Sequence, residues 1–188
     1  MTARTGREYI SGLKDDREVW LDDERIDVTT HPAMVRSVEG MASYFDYQHT
    51  HADSVLMDAP GGGQMNVSHM LPKSYEDIQR RHVAFDRLAR YSVGMLGRTP
   101  DYVNVVLAGH VSRRDIFEQY GDPIFHERLR NYQQEVINGD LALTHTIVHA
   151  NIDKSVGEFE GVNSDLTLRV IDRNEQGVVV RGAKMLAT

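Results

Sequence analysis

Up to about residue 139 the apolar positions of this chain recur at helical spacing, and beyond it they alternate with polar ones. Thr5-Gly6-Arg7-Glu8 has the capping-box spacing, an acceptor side chain followed three residues later by a carboxylate, which predicts a short helix from Gly6 to Leu13. Glu18-Val19-Trp20-Leu21 and Arg25-Ile26-Asp27-Val28 flank Asp22-Asp23-Glu24 and read as a small hairpin. Thr30 before His31-Pro32 predicts a second helix start, with the proline tolerated in the first turn. Met34, Val38, Met41 and Phe45 then fall on one face, the stripe of a core-facing helix. Thr50 to Asn66, with Pro60 and Gly61-Gly62-Gly63, reads as a loop; without a following Lys-Ser/Thr those glycines do not make a phosphate cradle. Ser74-Tyr75-Glu76-Asp77 opens the longest predicted helix, with Ile78, Phe85, Leu88, Ser92 and Met95 on its apolar face and Gly97 as its stop. Thr99-Pro100 starts another, and a further helix runs from Pro123 to Ile137, closed by Asn138-Gly139.

Leu166, Leu168 and Val170 alternate with Thr167 and Arg169, Asn174-Glu175-Gln176-Gly177 is a turn, and Val178-Val179-Val180 begins a return strand. The pattern predicts an α+β chain: a helical domain over 1–139 with a small hairpin near 18–28, then the start of an antiparallel β domain over 140–188. So small a sheet leaves edge strands and an apolar face uncovered, so further chain beyond Thr188 is expected.

Composition narrows the partners. The 188 residues carry a net charge of −7 and a pI near 5.7, with basic residues dispersed and no denser than Arg80-Arg81 and Arg113-Arg114, which argues against nucleic acid. Zero cysteines exclude disulfides, thiolate nucleophiles and iron–sulfur ligation from this stretch and fit a reducing cytoplasm. No apolar run approaches the roughly 20 residues that span a bilayer, and Met1 to Lys14 lacks a signal-peptide core.

Two stretches carry candidate chemistry. Gly97-Arg98-Thr99-Pro100-Asp101-Tyr102 sets a guanidinium, a helix start and a phenol within a few residues, a combination suited to an anion, although alone it also reads as a plain turn. Leu143 to Lys154 lies where the helical segment meets the sheet. There His145 is placed to polarise a phenolate or exchange its proton, against the alternative of a satisfied histidine on a strand edge. His145 and His149 are four apart in a strand-like region, which argues against a metal pair. The other histidines, His69 among them, share no spacing and receive no role, and the methionines read as core filling.

Tyr9-Ile10 with Leu13, Arg17-Glu18-Val19-Trp20, Asp27 to Ala33, Gly97 to Tyr102, Thr144 to Val148 with Ile152-Asp153, and Gly182-Ala183-Lys184 ending in Ala187-Thr188 follow one another in order. In that order they resemble the oxygenase component of the two-component 4-hydroxyphenylacetate 3-monooxygenases, whose relatives include chlorophenol hydroxylases and hydroxylases of a pyoverdine-type chromophore precursor. The resemblance implies an acyl-CoA-dehydrogenase-like fold with a C-terminal helical bundle absent here, and tetramers formed through that bundle. It also implies a separate reductase that delivers FADH2, O2 as co-substrate, a flavin C4a-hydroperoxide, and ortho-hydroxylation of a para-substituted phenol to a catechol without a catalytic metal.

By the same resemblance Arg98, Tyr102 and His145 surround the substrate phenol, with Thr99, Pro100 and Asp101 in the substrate-binding segment. Asn151, Ile152, Asp153, Lys154 and Thr188 match the flavin-contacting positions. His149-Ala150-Asn151 stands where the family usually has a proline. Two alternatives remain open at this point. One is a catalytically inactive fragment of the family that binds FAD weakly or not at all. The other is the 4-hydroxybutyryl-CoA dehydratase branch, against which the lack of cysteine ligands argues.

Overall fold

The computed structural model describes residues 3–94, 100–149, 155 and 166–186. The chain divides into two compact units, Met1–Leu143 and Thr144–Thr188.

The first unit opens with α1, Gly6–Gly12, whose capping box forms as the sequence predicts: the Thr5 hydroxyl accepts from the Glu8 N–H and the Glu8 carboxylate accepts from the Thr5 N–H. α1 lies close on the next helix. The Gly6 N–H donates to Asp46 Oδ1 at 2.7 Å, and a side chain at Gly6 would run into the carbonyl of Ala42. β1, Val19–Leu21, and β2, Glu24–Ile26, pair antiparallel through Asp22 and Asp23. Both turn residues sit at positive φ, 51° and 65°, the mirror-image turn that matches strand twist.

α2 spans Val35–Thr50, so its start lies five residues after the predicted Thr30 cap. The Asp27 carboxylate accepts from the Thr29 N–H, and the His31 N–H closes on the Asp27 carbonyl. The intervening residues are thereby drawn into turns before the helix can begin. Val38, Ala42, Tyr44, Phe45 and Gln48 are its buried residues. The stretch expected as a loop over 50–66 is ordered instead: α3, Ala52–Val55, leads into β3, Leu56–Asp58, which pairs antiparallel with β4, Gln64–Asn66. Pro60 to Gly63 form only its tip, with Gly62 and Gly63 at φ of 89° and 81°. A single 3₁₀ turn, Val67–His69, follows.

α4, Tyr75–Tyr91, starts where the sequence predicts, with a capping box formed by Ser74 and Asp77, but ends well before Gly97. Val93 and Gly94 turn to positive φ, and the Gly94 N–H reaches back to the Ala89 carbonyl at 2.8 Å, closing the last turn. Ala84 and Leu88 are its buried residues, while Ile78 faces outward. α5, Pro100–Val111, begins at the predicted proline; α6, Arg114–Tyr120, was not anticipated; α7, Pro123–Gly139, is capped by Asp122 and ended by Asp140 in the left-handed region.

Two kinds of interior hold this unit together. Phe45, 1% exposed, stacks on Tyr9 with centroids 4.9 Å apart, meets Tyr44 edge-on, and carries the Arg4 guanidinium 4.8 Å from its ring centre. Beside it runs a buried polar chain. Asp140 Oδ2 accepts from the Arg4 N–H and from Gln48 Nε2, Asn66 Nδ2 donates to Gln48 Oε1, Asn66 Oδ1 accepts from the Ser68 N–H, and Asn104 Nδ2 donates to Ser68 Oγ. These bonds tie the N-terminal arm, α2, the 3₁₀ turn, α5 and the end of α7, segments far apart in sequence.

In the second unit β5, Thr146–Val148, pairs antiparallel with β8, Met185–Leu186. β6, Arg169–Asn174, pairs antiparallel with β7, Gly177–Arg181, with a register shift between Val170 and Asp172. The hairpin turn falls at Glu175-Gln176, as the sequence predicts. Both strands are exposed throughout. A helix-rich unit followed by antiparallel strands is the expected α+β class, with a second small hairpin, β3–β4, added to the helical part. Among the described residues no helix is long and apolar enough to cross a membrane.

Candidate functional site

α5 carries the part of the first candidate stretch that the structure describes. Asn104, Leu107, Ala108 and Val111 form its buried face, packed on the 3₁₀ turn and on α7. Asn104 Nδ2 donates to Ser68 Oγ at 3.1 Å, and the carbonyl of Val111 meets His126 Nε2 at 2.8 Å, so the helix is tied near both ends. Tyr102 lies two residues before Asn104, about 200° around the helix. It therefore stands on the outward face, 43% exposed. Pro100 and Asp101 form the first turn of α5. Arg98 and Thr99 lie outside the described residues.

In the second unit His145 is half-buried and immediately precedes β5. Here the organising side chain is Lys184, from the segment leading into β8. Its ammonium donates to the Ile147 carbonyl at 3.0 Å and lies 3.1 Å from His149 Nε2. An ammonium has no lone pair, so His149 Nε2 must accept, and the ring proton then sits on Nδ1. That Nδ1 is buried and has no hydrogen-bond partner. Ala183 is held by its N–H donating to the Leu166 carbonyl at 2.7 Å, and Gly182, at φ 126°, passes so close to Thr167 that a side chain would meet its carbonyl. Asn151, Ile152, Asp153, Lys154 and Thr188 lie outside the described residues. Among the described residues no group of three His, Asp or Glu side chains is arranged to hold a metal ion.

One further buried histidine of the first unit was passed over in the sequence. His69, 2% exposed at the end of the 3₁₀ turn, has no partner on either ring nitrogen, and burial pushes its imidazole down to about 4. Its stretch is irregular, so no periodicity marked it.

Residues 5–188 match the family model described as 4-hydroxyphenylacetate 3-hydroxylase N terminal. The chain is 33% identical, over its whole length, to the oxygenase component of 4-hydroxyphenylacetate 3-monooxygenase from Geobacillus sp. (strain PA-9), of which it covers 38%. It is 35% identical over 99% of its length to the oxygenase component from Thermus thermophilus, again covering 38%. Among solved structures, the oxygenase component (HpaB) of 4-hydroxyphenylacetate 3-monooxygenase complexed with FAD and 4-hydroxyphenylacetate superposes with a TM-score of 0.84 and 34% identity, over 97% of this chain and 38% of that one. The chain thus spans well under half the length of these relatives. With one model matched from residue 5 to residue 188 and the fold shared with a solved relative, the chain belongs to the 4-hydroxyphenylacetate 3-hydroxylase N-terminal family.

Proposed function

We propose that this chain is the N-terminal portion of an FADH2-dependent monooxygenase that hydroxylates a para-substituted phenol, of the 4-hydroxyphenylacetate kind, ortho to its hydroxyl to give a catechol. The observation that carries this reading is the agreement, over 97% of the chain, with a relative solved together with FAD and 4-hydroxyphenylacetate. In this reading Arg98 and His145 hold the phenol oxygen and stabilise its deprotonated form, which raises electron density at the ortho carbon. Tyr102 orients the ring and its hydroxyl, while Thr99, Pro100 and Asp101 belong to the substrate-binding segment. Asn151, Ile152, Asp153, Lys154 and Thr188 line the flavin. The orphaned Nδ1–H of His149, two residues before the first of these in sequence, fits a polar cofactor, because it is a buried donor awaiting an acceptor. Reduced FAD, when bound, supplies the activated oxygen; the protein's share is orientation and exclusion of water. A separate reductase, a homotetrameric assembly, a cytoplasmic setting, and the domain limits 1–139 and 140–188 belong to the same reading.

The test uses the complete polypeptide that carries this sequence, with a flavin reductase, NADH, FAD and 4-hydroxyphenylacetate. The expected product is the catechol, and His145→Ala is expected to lower catechol formation at least 100-fold while hydrogen peroxide release persists. Peroxide with no catechol from any phenol tried, including 4-nitrophenol and chlorophenols, would overturn the proposal.

A further inference from the structure

Of the described side chains of α5, the first to be buried is Asn104, 3% exposed; the next, Leu107, Ala108 and Val111, come three or more residues later. The buried contact nearest Tyr102 on that helix is thus a carboxamide rather than an apolar side chain. Its Nδ2 donates to Ser68 Oγ at 3.1 Å, and Ser68 is itself wholly buried, with its N–H donating to Asn66 Oδ1 at 2.9 Å. Asn66 is anchored in turn on α2, its Nδ2 lying 3.3 Å from Tyr44 Oη and from Gln48 Oε1.

A carboxamide is a poor way to stabilise that position. Asn104 Oδ1 is buried with no hydrogen-bond partner, and leaving a buried acceptor unsatisfied costs at least as much as one neutral hydrogen bond contributes. An apolar side chain makes no such demand. What the carboxamide adds is direction. The hydrophobic effect that seats Leu107 and Val111 is non-directional, whereas a hydrogen bond weakens steeply as donor, hydrogen and acceptor leave a line. The Asn104–Ser68 bond therefore fixes how far α5 is rolled about its axis. With side chains at roughly 5–6 Å from a helix axis, a roll of about 10° shifts them by about 1 Å. A misplacement of that size at a reacting geometry can cost on the order of 100-fold in rate.

We propose that Asn104 is a positioning residue for the hydroxylation, acting through Tyr102: its bond to Ser68 Oγ sets the roll of α5 and with it the placing of the Tyr102 phenol against the substrate ring. The inference rests on the oxygenase reading above, in which Tyr102 orients that ring.

Asn104→Ala, Ser68→Ala and the double variant are made in the complete polypeptide that carries this sequence and assayed with a flavin reductase, NADH, FAD and 4-hydroxyphenylacetate. Each single variant is expected to raise KM for the phenol at least fivefold, and the share of NADH that ends as hydrogen peroxide at least threefold. The double variant is expected to match the singles rather than multiply their effects, because the same bond is removed in all three. Leu88→Ala, a truncation in the Phe45 cluster, is the control: it is expected to lower the urea midpoint while KM and the peroxide share stay within twofold of the wild type. Unchanged KM and peroxide share in both single variants, effects that multiply in the double variant, or the same effects in Leu88→Ala would each overturn the positioning role. A wild-type polypeptide that forms no catechol from any phenol would overturn the oxygenase reading itself, and the proposal with it.

Discussion

In the first unit Phe45 is 1% exposed and Val55 and Val136 are fully covered, whereas in the second unit Val178, Val179 and Val180 of β7 all remain at least 40% exposed. The side chains are of one kind, and their surroundings differ. The first unit closes its helices with local caps and then joins them through the Phe45 cluster and the Arg4–Asp140–Gln48–Asn66 chain. The β6–β7 hairpin is held by its backbone ladder and its turn, and two strands alone are at best marginally stable in water. The contrast teaches that alternation in sequence identifies strand residues without saying what covers them, while helical periodicity with matching caps already implies its own packing partners.

The largest expected effect would test that contrast directly. Phe45→Ala removes a ring packed against Tyr9, Tyr44 and the Arg4 guanidinium, and should lower the stability of the 188-residue chain by about 3–5 kcal/mol. Val179→Ala should change it by no more than about 0.5 kcal/mol, as for surface positions generally. Urea unfolding of the two variants checks both. A cost above about 2 kcal/mol at Val179 would mean that β7 is covered in solution, and the distinction between the units would fail.

A second, smaller effect belongs to the first unit's interior alone. His69 has a pKa of about 4 in the fold against an ordinary value of 6.5, so between these limits the unfolded chain binds more protons than the folded one. Stability is therefore full above about pH 6.5 and is lost as pH falls toward about 4, by up to about 3 kcal/mol. His69→Gln should flatten that slope. The charged groups that line a cavity together with His69, namely Asp58, Asp77, Lys73 and Arg130, are unchanged in the variant, so their contribution cancels in the comparison. Denaturant titrations from pH 4 to pH 8 make the measurement; an equal slope in both proteins would place the acid sensitivity elsewhere.

What the sequence disclosed follows the range of the forces involved. The Thr5–Glu8 cap, the helix starts at Ser74, Pro100 and Pro123 and the turn at Glu175-Gln176 depend on neighbours in the chain, and each was legible. The late start of α2 was not, because Asp27 and His31 compete for the backbone groups that Thr30 was expected to organise. Nor was the early end of α4, where Val93 at φ 53° adopts a conformation that β-branched residues rarely take. The β3–β4 hairpin was obscured by the glycine run at its tip. Of the candidate site, the α5 start beneath Tyr102 was legible from Thr99-Pro100. The Asn104–Ser68 bond that anchors that helix was not, since it joins residues 36 apart. His69 was invisible for the same reason: α5 packs on its 3₁₀ turn and Gln133 of α7 bonds its carbonyl, and both lie far along the chain.

The smallest expected effect separates local from global stability. Ser74 Oγ accepts from the Asp77 N–H at 3.2 Å, and in the second unit Asn174 Oδ1 accepts from the Gln176 and Gly177 N–H groups at 2.9 and 3.1 Å. Each is a side-chain acceptor satisfying backbone donors, and each is removed by alanine. At Ser74 the cap belongs to α4, whose buried Leu88 joins the Phe45 cluster, so Ser74→Ala should lower global stability by about 1 kcal/mol. At Asn174 the turn belongs to a hairpin with no buried residue in either strand, so Asn174→Ala should leave the urea midpoint unmoved and instead speed amide exchange across β6 and β7 by about threefold to tenfold. Amide exchange read beside urea unfolding distinguishes the two. If Asn174→Ala shifted the global midpoint as far as Ser74→Ala, the hairpin would be unfolding together with the helices rather than ahead of them.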